Sequence, residues 1–272
     1  MKKRLLKIKR PKSDVVALVD AEIVTYQVVT EGLEERLVSD DEYTWHLDMT
    51  LALPTLFNRI DSVVREIGAG EVVLAVGSKS NWRKRICETY KANRAGKKKP
   101  LGYWAAIDAL RKNYRVDQIE WLEADDVLGI LATGEFQGRG VIVSNDKDML
   151  TVPGRHYNPQ EPEPAVREVS LQEADVEHAV LALAGDATDG YKGCKGVGEK
   201  GARDALAKMQ SGDSIWRTAL ALFEKAGHDE AYALQQFRLA RVLRAGEYDH
   251  KTGGLTLWTP PAAIKQSKKV RQ

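Results

Sequence analysis

Three short apolar runs stand out from the polar background of the first half of the chain. Asp14–Asp20 reads DVVALVD, Glu71–Val76 reads EVVLAV and Gly140–Ser144 reads GVIVS. Each is too short for a stable helix and too uniformly apolar for a half-exposed strand, so each predicts a strand buried on both faces of a parallel sheet. Between the first two, Leu47, Leu51, Leu56, Ile60, Val63, Val64 and Ile67 recur at helical spacing over 41–67, and Pro54 is expected to break or kink that helix. Helices are expected over 103–110 and 124–133, with a short strand over 116–122 between them. A proline-rich connector follows at 153–164. From residue 171 onward the pattern is helical throughout, over 171–184, 199–210, 213–226 and 229–245, with a glycine-rich turn before the second of these.

Strands alternating with helices predict an α/β fold, a twisted and mainly parallel sheet flanked by helices, followed by a C-terminal helical region. In such sheets the functional crevice lies at the carboxyl ends of the strands. The first strand runs into Asp20, and the third into Asp146 and Asp148. Glu123, Asp125 and Asp126 open the helix at 124, and Asp186 and Asp189 follow the helix at 171–184. Each group has an ordinary reading, as a helix cap, a favourable charge at a helix N-terminus or an Asx-turn. Eight carboxylates converging from four element boundaries would repel one another without cations. Two hard divalent metals are a common answer, and they suit phosphodiester cleavage.

The chain has 272 residues, with 41 Lys and Arg against 39 Asp and Glu, a formal charge of +2. Residues 79–99 hold nine basic side chains against one acid, Glu88, with Trp82 and Tyr90 interleaved. That segment suits a phosphate backbone whose bases stack on rings, although a solvated loop has the same composition. Two cysteines give neither a disulfide framework nor a zinc site, and no apolar run is long enough to span a membrane. The expected location is therefore the cytoplasm, with no membrane partner. Gly193–Gly201, GCKGVGEKG, matches neither a Walker loop nor a dinucleotide fingerprint. Its glycine spacing resembles a helix-hairpin-helix, a phosphate grip indifferent to sequence, although an ordinary helix–turn–helix corner is the plain alternative.

Four stretches occur in order: NWRKRICETYKANR at 81–94, WLEADDVLGILAT at 121–133, VSNDKDML at 143–150 and GDATDGYKGCKGVGEKGA at 185–202. They resemble the 5′-nuclease superfamily, which includes flap endonucleases and polymerase 5′-exonuclease domains, and especially its phage-encoded 5′→3′ exonucleases. The resemblance implies an α/β nuclease core over 14–170 with a helical arch near 79–115 over the active site. It further implies a helical DNA-binding region over 171–258 with the helix-hairpin-helix near 185–210. Basic extensions at 1–13 and 259–272 match no motif. Asp20, Glu123, Asp125, Asp126, Asp146, Asp148, Asp186 and Asp189 are implied to hold two Mg²⁺ ions, with Mn²⁺ as a substitute. Asp20, Asp126 and Asp146 would be catalytic, and Lys84 or Arg83 would reach the scissile phosphate.

The resemblance assigns DNA contacts to Trp82, Arg83, Lys84, Tyr90, Lys91 and Arg94 in the arch and to Lys195, Gly196, Gly198 and Lys200 in the hairpin. A potassium ion would sit on the carbonyls of Cys194 and Val197. The implied activity is metal-dependent 5′→3′ exonuclease or flap endonuclease cleavage of DNA leaving 5′-phosphates. Substrates would be 5′ ends, flaps or RNA primers, met by a monomer that works beside replication proteins, in the host cytoplasm if phage-encoded. One position departs from the family: an Asp usually ends the second strand, whereas Val76 is followed here by Gly77-Ser78-Lys79. Ser78, through a water, or Glu22 could substitute. The departure keeps a second reading open, a structure-specific DNA-binding protein with a degenerate site. A phosphatase of small esters would need neither the basic segment nor the glycine turn.

Overall fold

Strand β1 (Val16–Asp20) is buried along its whole length and forms the centre of a six-stranded sheet. The computed structural model describes residues 12–209 and 214–261. Most of both basic extensions, and the junction of the helices expected to meet near 210–213, lie outside the described residues. β1 pairs in parallel with β4 (Glu71–Ala75) on one side and β6 (Gly140–Val143) on the other. β5 (Arg115–Asp117) extends the sheet beyond β4, and β7 (Gly154–Tyr157) beyond β6, both in parallel. The edge strand β8 (Arg167–Val169) is antiparallel to β7. Alternate side chains of β1 feed opposite cores. Ala17 and Val19 pack with α1 (Ala21–Glu31), α2 (Met49–Glu66) and α3 (Tyr103–Asn113). Val16 and Leu18 pack with α4 (Ala124–Thr133). Among the described residues, no helix is long and apolar enough to cross a membrane.

The C-terminal helices α5 (Leu171–Ala184), α6 (Glu199–Ala207), α7 (Ile215–Lys225) and α8 (Glu230–Ala240) enclose a third core. After α8 the chain crosses back to the α/β core. It ends in a two-stranded ribbon of β9 (Tyr248–Asp249) and β10 (Gly254–Leu255).

Several sequence expectations need correction. Residues 33–47 form a hairpin, β2 (Leu33–Ser39) with β3 (Glu42–Leu47), so the helix expected from 41 begins at Met49. Pro54 sits inside α2 without ending it. It lies on the exposed side near the helix start, where water can take the carbonyl whose partner proline removes. The expected strand at 116–122 is only Arg115–Asp117, and the proline-rich connector contains β7. The helix expected over 229–245 stops at Ala240. The basic segment forms two 3-10 turns, Trp82–Arg85 and Ala92–Arg94, rather than α-helices, and α3 is the one α-helix of the stretch 79–115. Gly96 and Pro100 disfavour a helix through the end of this stretch, and the segment is instead anchored through single side chains.

Candidate active site

Each acidic group is fixed by local backbone chemistry. Asp20 ends β1 and caps α1, its Oδ1 accepting from the amides of Glu22 (2.9 Å) and Ile23 (3.0 Å). Asp146 follows β6 and caps the 3-10 turn Lys147–Thr151, accepting from the Asp148 amide at 2.9 Å. Asp186 closes an Asx-turn by accepting from the amides of Thr188 and Asp189 at 2.6 and 3.2 Å. That loop is pinned where two backbones cross. A Cβ on Gly193 would lie 2.4 Å from the Gly185 nitrogen, and both residues have positive φ (64° and 71°). Only glycine fits such a crossing.

These elements bring Asp20, Asp125, Asp146 and Asp148 together with Glu123, Asp186 and Asp189 around one cleft of about 360 Å³. It lies at the carboxyl ends of β1 and β6. Glu22, Lys91, Arg94 and Lys147 complete its walls.

Asp126 is not among them. It is fully buried on the far side of the helix start. Its Oδ2 accepts from Trp82 Nε1 (2.9 Å), Arg83 Nη1 (2.8 Å) and the Glu123 amide (3.3 Å). Its Oδ1 accepts from Arg83 Nη2 (2.8 Å) and the Leu243 amide (3.1 Å). Five donors leave this carboxylate no capacity for a metal, so the expected ligand and catalytic role of Asp126 does not fit. Arg83 is equally committed. Its remaining N–H groups go to Glu123 Oε2 (2.9 Å), the Leu239 carbonyl (3.0 Å) and the Arg241 carbonyl (2.5 Å). Buried with every donor used, Arg83 cannot reach a phosphate. Trp82, 2 % exposed, cannot stack a base. Tyr90 is buried as well, its hydroxyl donating to Glu123 Oε2 (3.0 Å) and Asp189 Oδ2 (2.7 Å). Lys84 is exposed and does not line the cleft.

The basic residues that do reach the acids are Lys91 and Arg94. Lys91 Nζ donates to Glu123 Oε1 and lies 3.3 Å from Asp189 Oδ2, while Arg94 Nη2 lies 2.9 Å from Asp189 Oδ1. Sequence reasoning also missed Lys147, whose signal was its place between Asp146 and Asp148, and which pairs with Glu199 at 3.1 Å. In the glycine turn, Lys195, Gly196, Gly198 and Lys200 are exposed. The Cys194 carbonyl accepts from the Val197 amide at 3.0 Å.

The electrostatics divide the cleft in two. Burial works against ionisation of Glu123, but Arg83 and Lys91 outweigh it and hold the carboxyl down to about 2. On the opposite wall Lys147 and Lys91 act in the same sense but are outweighed by burial and by the neighbouring acids. Burial, with Glu22 and Asp146 nearby, pushes Asp20 up to about 7. Burial together with Asp146 and Asp186 raises Asp148 to about 7 as well. Asp125 is raised well above the usual carboxylate range by burial and by Asp20, Asp146 and Glu123. Among the described residues no hydrogen-bond donor reaches the Asp125 carboxylate. Oxygen donors this short of positive charge fit hard divalent cations. As they stand, no three described acids, histidines or cysteines are already close enough to chelate one ion.

The class is α/β, with a mainly parallel sheet, an acidic cleft at its strand ends and a helical lobe beside it. Residues 14–178 match the family described as 5′-3′ exonuclease, N-terminal resolvase-like domain. The chain is 30 % identical to the exonuclease of Escherichia phage T7 over 284 residues, spanning 90 % of this chain and 93 % of that one. It is 28 % identical to the exodeoxyribonuclease of Enterobacteria phage T3, with the same coverage. A flap endonuclease Xni of Shewanella baltica is 30 % identical over 181 residues, 61 % of this chain and 68 % of the relative. The solved T5 5′-exonuclease with bound zinc has a TM-score of 0.60 at 14 % identity, covering 83 % of this chain and 89 % of that one. The catalytic core of Rad2 in complex with DNA substrate has a TM-score of 0.54 at 17 % identity, covering 93 % and 86 %. The chain belongs to the 5′-3′ exonuclease family.

Proposed function

We propose that the cleft binds two divalent cations, Mg²⁺ with Mn²⁺ as a substitute, and that the chain hydrolyses DNA from 5′ ends, releasing 5′-phosphorylated products. RNA primers and 5′ flaps are included among its substrates. The observation that carries this reading is the cleft itself, in which donor-poor carboxylates at two strand ends face a rim carrying Lys91 and Arg94. Its cation ligands are Asp20, Glu123, Asp125, Asp146, Asp148, Asp186 and Asp189, without Asp126. Bound cations would supply Lewis acidity and lower the pKa of water at the scissile phosphate. Lys91 and Arg94, which pair with Glu123 and Asp189 at the rim, would contact the phosphate and stabilise its developing negative charge. Tyr90 stays anchored and holds the segment that presents them. The exposed turn of Lys195, Gly196, Gly198 and Lys200 grips duplex phosphates, and the carbonyls of Cys194 and Val197 are the potassium ligands in this reading.

The test is a 5′-labelled duplex and a 5′-flap substrate incubated with Mg²⁺ or EDTA. Mg²⁺-dependent release of 5′-phosphorylated products is expected, and D146N is expected to abolish it while sparing DNA binding. DNA binding without turnover at any Mg²⁺ or Mn²⁺ concentration would overturn the reading in favour of a degenerate site.

A further inference from the structure

Three neighbouring strands, β4, β1 and β6, point their carboxyl ends toward the cleft, but only two of them contribute acids. β1 delivers Asp20, and β6 delivers Asp146 and Asp148. The chain leaves β4 through Gly77 and Ser78, which have no carboxylate to offer. The gap is filled from elsewhere. Glu22, in the first turn of α1, lines the cleft and reaches across to β4. A Cβ built on Gly77 would lie 3.6 Å from Glu22 Oε2 and 3.2 Å from the Ala124 amide nitrogen. The carboxylate of Glu22 thus lies in van der Waals contact with the place a Cβ at 77 would take, beside the start of α4, from which Glu123 and Asp125 arise. The extra methylene of glutamate supplies the reach that a strand-end aspartate would not need. Ser78 is engaged otherwise, its amide donating to the Leu122 carbonyl and its hydroxyl accepting from the Ser80 amide, and it does not line the cleft.

Glu22 is also held only loosely. Its cationic partner is Lys99, at 3.7 Å, and that lysine is 39 % exposed, so the charge on Glu22 is balanced by a partner that water can replace. The hydroxyl of Tyr103, at the start of α3, is its other contact.

We propose that Glu22 is a cation ligand on the β4 side of the cleft, in the place left open by Gly77. This rests on the cleft being a metal site, so the experiment separates the two. Mn²⁺ binding to the full-length protein is measured without DNA, by the loss of the free-ion electron paramagnetic resonance signal, for the unaltered chain, E22A, E22Q and E22A/G77D. Circular dichroism melting in EDTA confirms that each variant folds. E22A and E22Q are expected to bind one Mn²⁺ at least about tenfold more weakly, since even an indirect partner of a metal site costs that much. E22A/G77D is expected to recover affinity. Affinity within twofold of the unaltered chain in both single variants overturns the proposal and leaves the metal site standing. So does a loss confined to E22A, because glutamine keeps the shape and removes the charge. Absence of Mn²⁺ binding by the unaltered chain overturns both readings.

Discussion

Arg83 and Asp126 meet in two parallel hydrogen bonds, Nη1 to Oδ2 and Nη2 to Oδ1, each 2.8 Å long, with side-chain exposures of 4 % and 0 %. The same guanidinium holds the carbonyls of Leu239 and Arg241, so one fork ties the basic segment, α4 and the returning C-terminal chain together. Removing one member of a buried pair costs about 3–5 kcal/mol, because the other is left charged without a partner. D126A is therefore expected to melt on the order of 10 °C lower.

D125N should behave in the opposite way. It removes a buried charge that repels Asp20 and Asp146, so in EDTA it is expected to melt at or above the unaltered protein while losing metal affinity. Differential scanning calorimetry with and without Mg²⁺ separates these adjacent residues. Equal destabilisation by the two substitutions would refute the division of roles.

That division was not legible in the sequence. Asp125 and Asp126 are neighbours of the same type, and only the rotation of about 100° per helical residue sends one into the cleft and the other into the core. The apolar runs of β1, β4 and β6 and the acids at element ends were legible, because burial on both faces and strand-end chemistry leave local marks. The basic segment displayed its charge but not its partners. Arg83 and Lys91 look alike until residues more than thirty positions away, Glu123 and Asp126, decide which is sealed and which faces the cleft. The early end of α8 has a similar cause, since the carbonyls of Leu239 and Arg241 and the amide of Leu243 serve Arg83 and Asp126. The hairpin did leave a mark, the alternation of Tyr43, Trp45 and Leu47 after Asp40-Asp41, but Leu47 also fits the helical spacing that follows it.

The acidic wall makes stability depend on pH in a defined direction. Asp20 and Asp148 hold their protons up to about pH 7 in the folded chain, whereas in the unfolded chain they release them near 3.8. Between those values the folded state binds more protons, so stability falls as pH rises from about 4 to about 7. Glu123 acts in the reverse sense. Held down to about 2, it contributes stability that is lost as pH falls from about 4.5 toward 2. In EDTA the melting temperature is expected to peak between about pH 4 and 5, with a shallower decline above the peak in D148N. Mg²⁺, which competes with those protons, should raise the melting temperature more at pH 8 than at pH 6. A D148N profile identical to that of the unaltered chain would contradict the assignment.

Lys91 and Lys84 make opposite predictions although both belong to the basic segment. Lys91 is 16 % exposed and sits against Glu123 and Asp189, whereas Lys84 is turned to solvent outside the cleft. Loss of one preorganised donor to a developing charge typically costs about 10²–10³ in kcat. K91A is expected to show a loss of that size in single-turnover cleavage with Mg²⁺, and K84A is expected to leave the chemical step unchanged. A large loss in K84A with a normal K91A would restore the sequence-based choice.

The glycine turn should reveal itself through salt. Lys195 and Lys200 are exposed on either side of Gly196 and Gly198, at the start of α6, where free amides and a helix N-terminus favour a phosphate. A lysine that neutralises one duplex phosphate releases about 0.9 counterion, so its loss flattens the plot of log affinity against log salt by about 0.9. K195A and K200A are each expected to flatten that slope by this amount. The effect should be the same on duplexes of unrelated sequence, because phosphate contacts carry no base information. The measurement is fluorescence anisotropy on a duplex with a 5′ overhang, with Ca²⁺ in place of Mg²⁺ to suppress cleavage. An unchanged slope in the double substitution would place the duplex on another face of the protein.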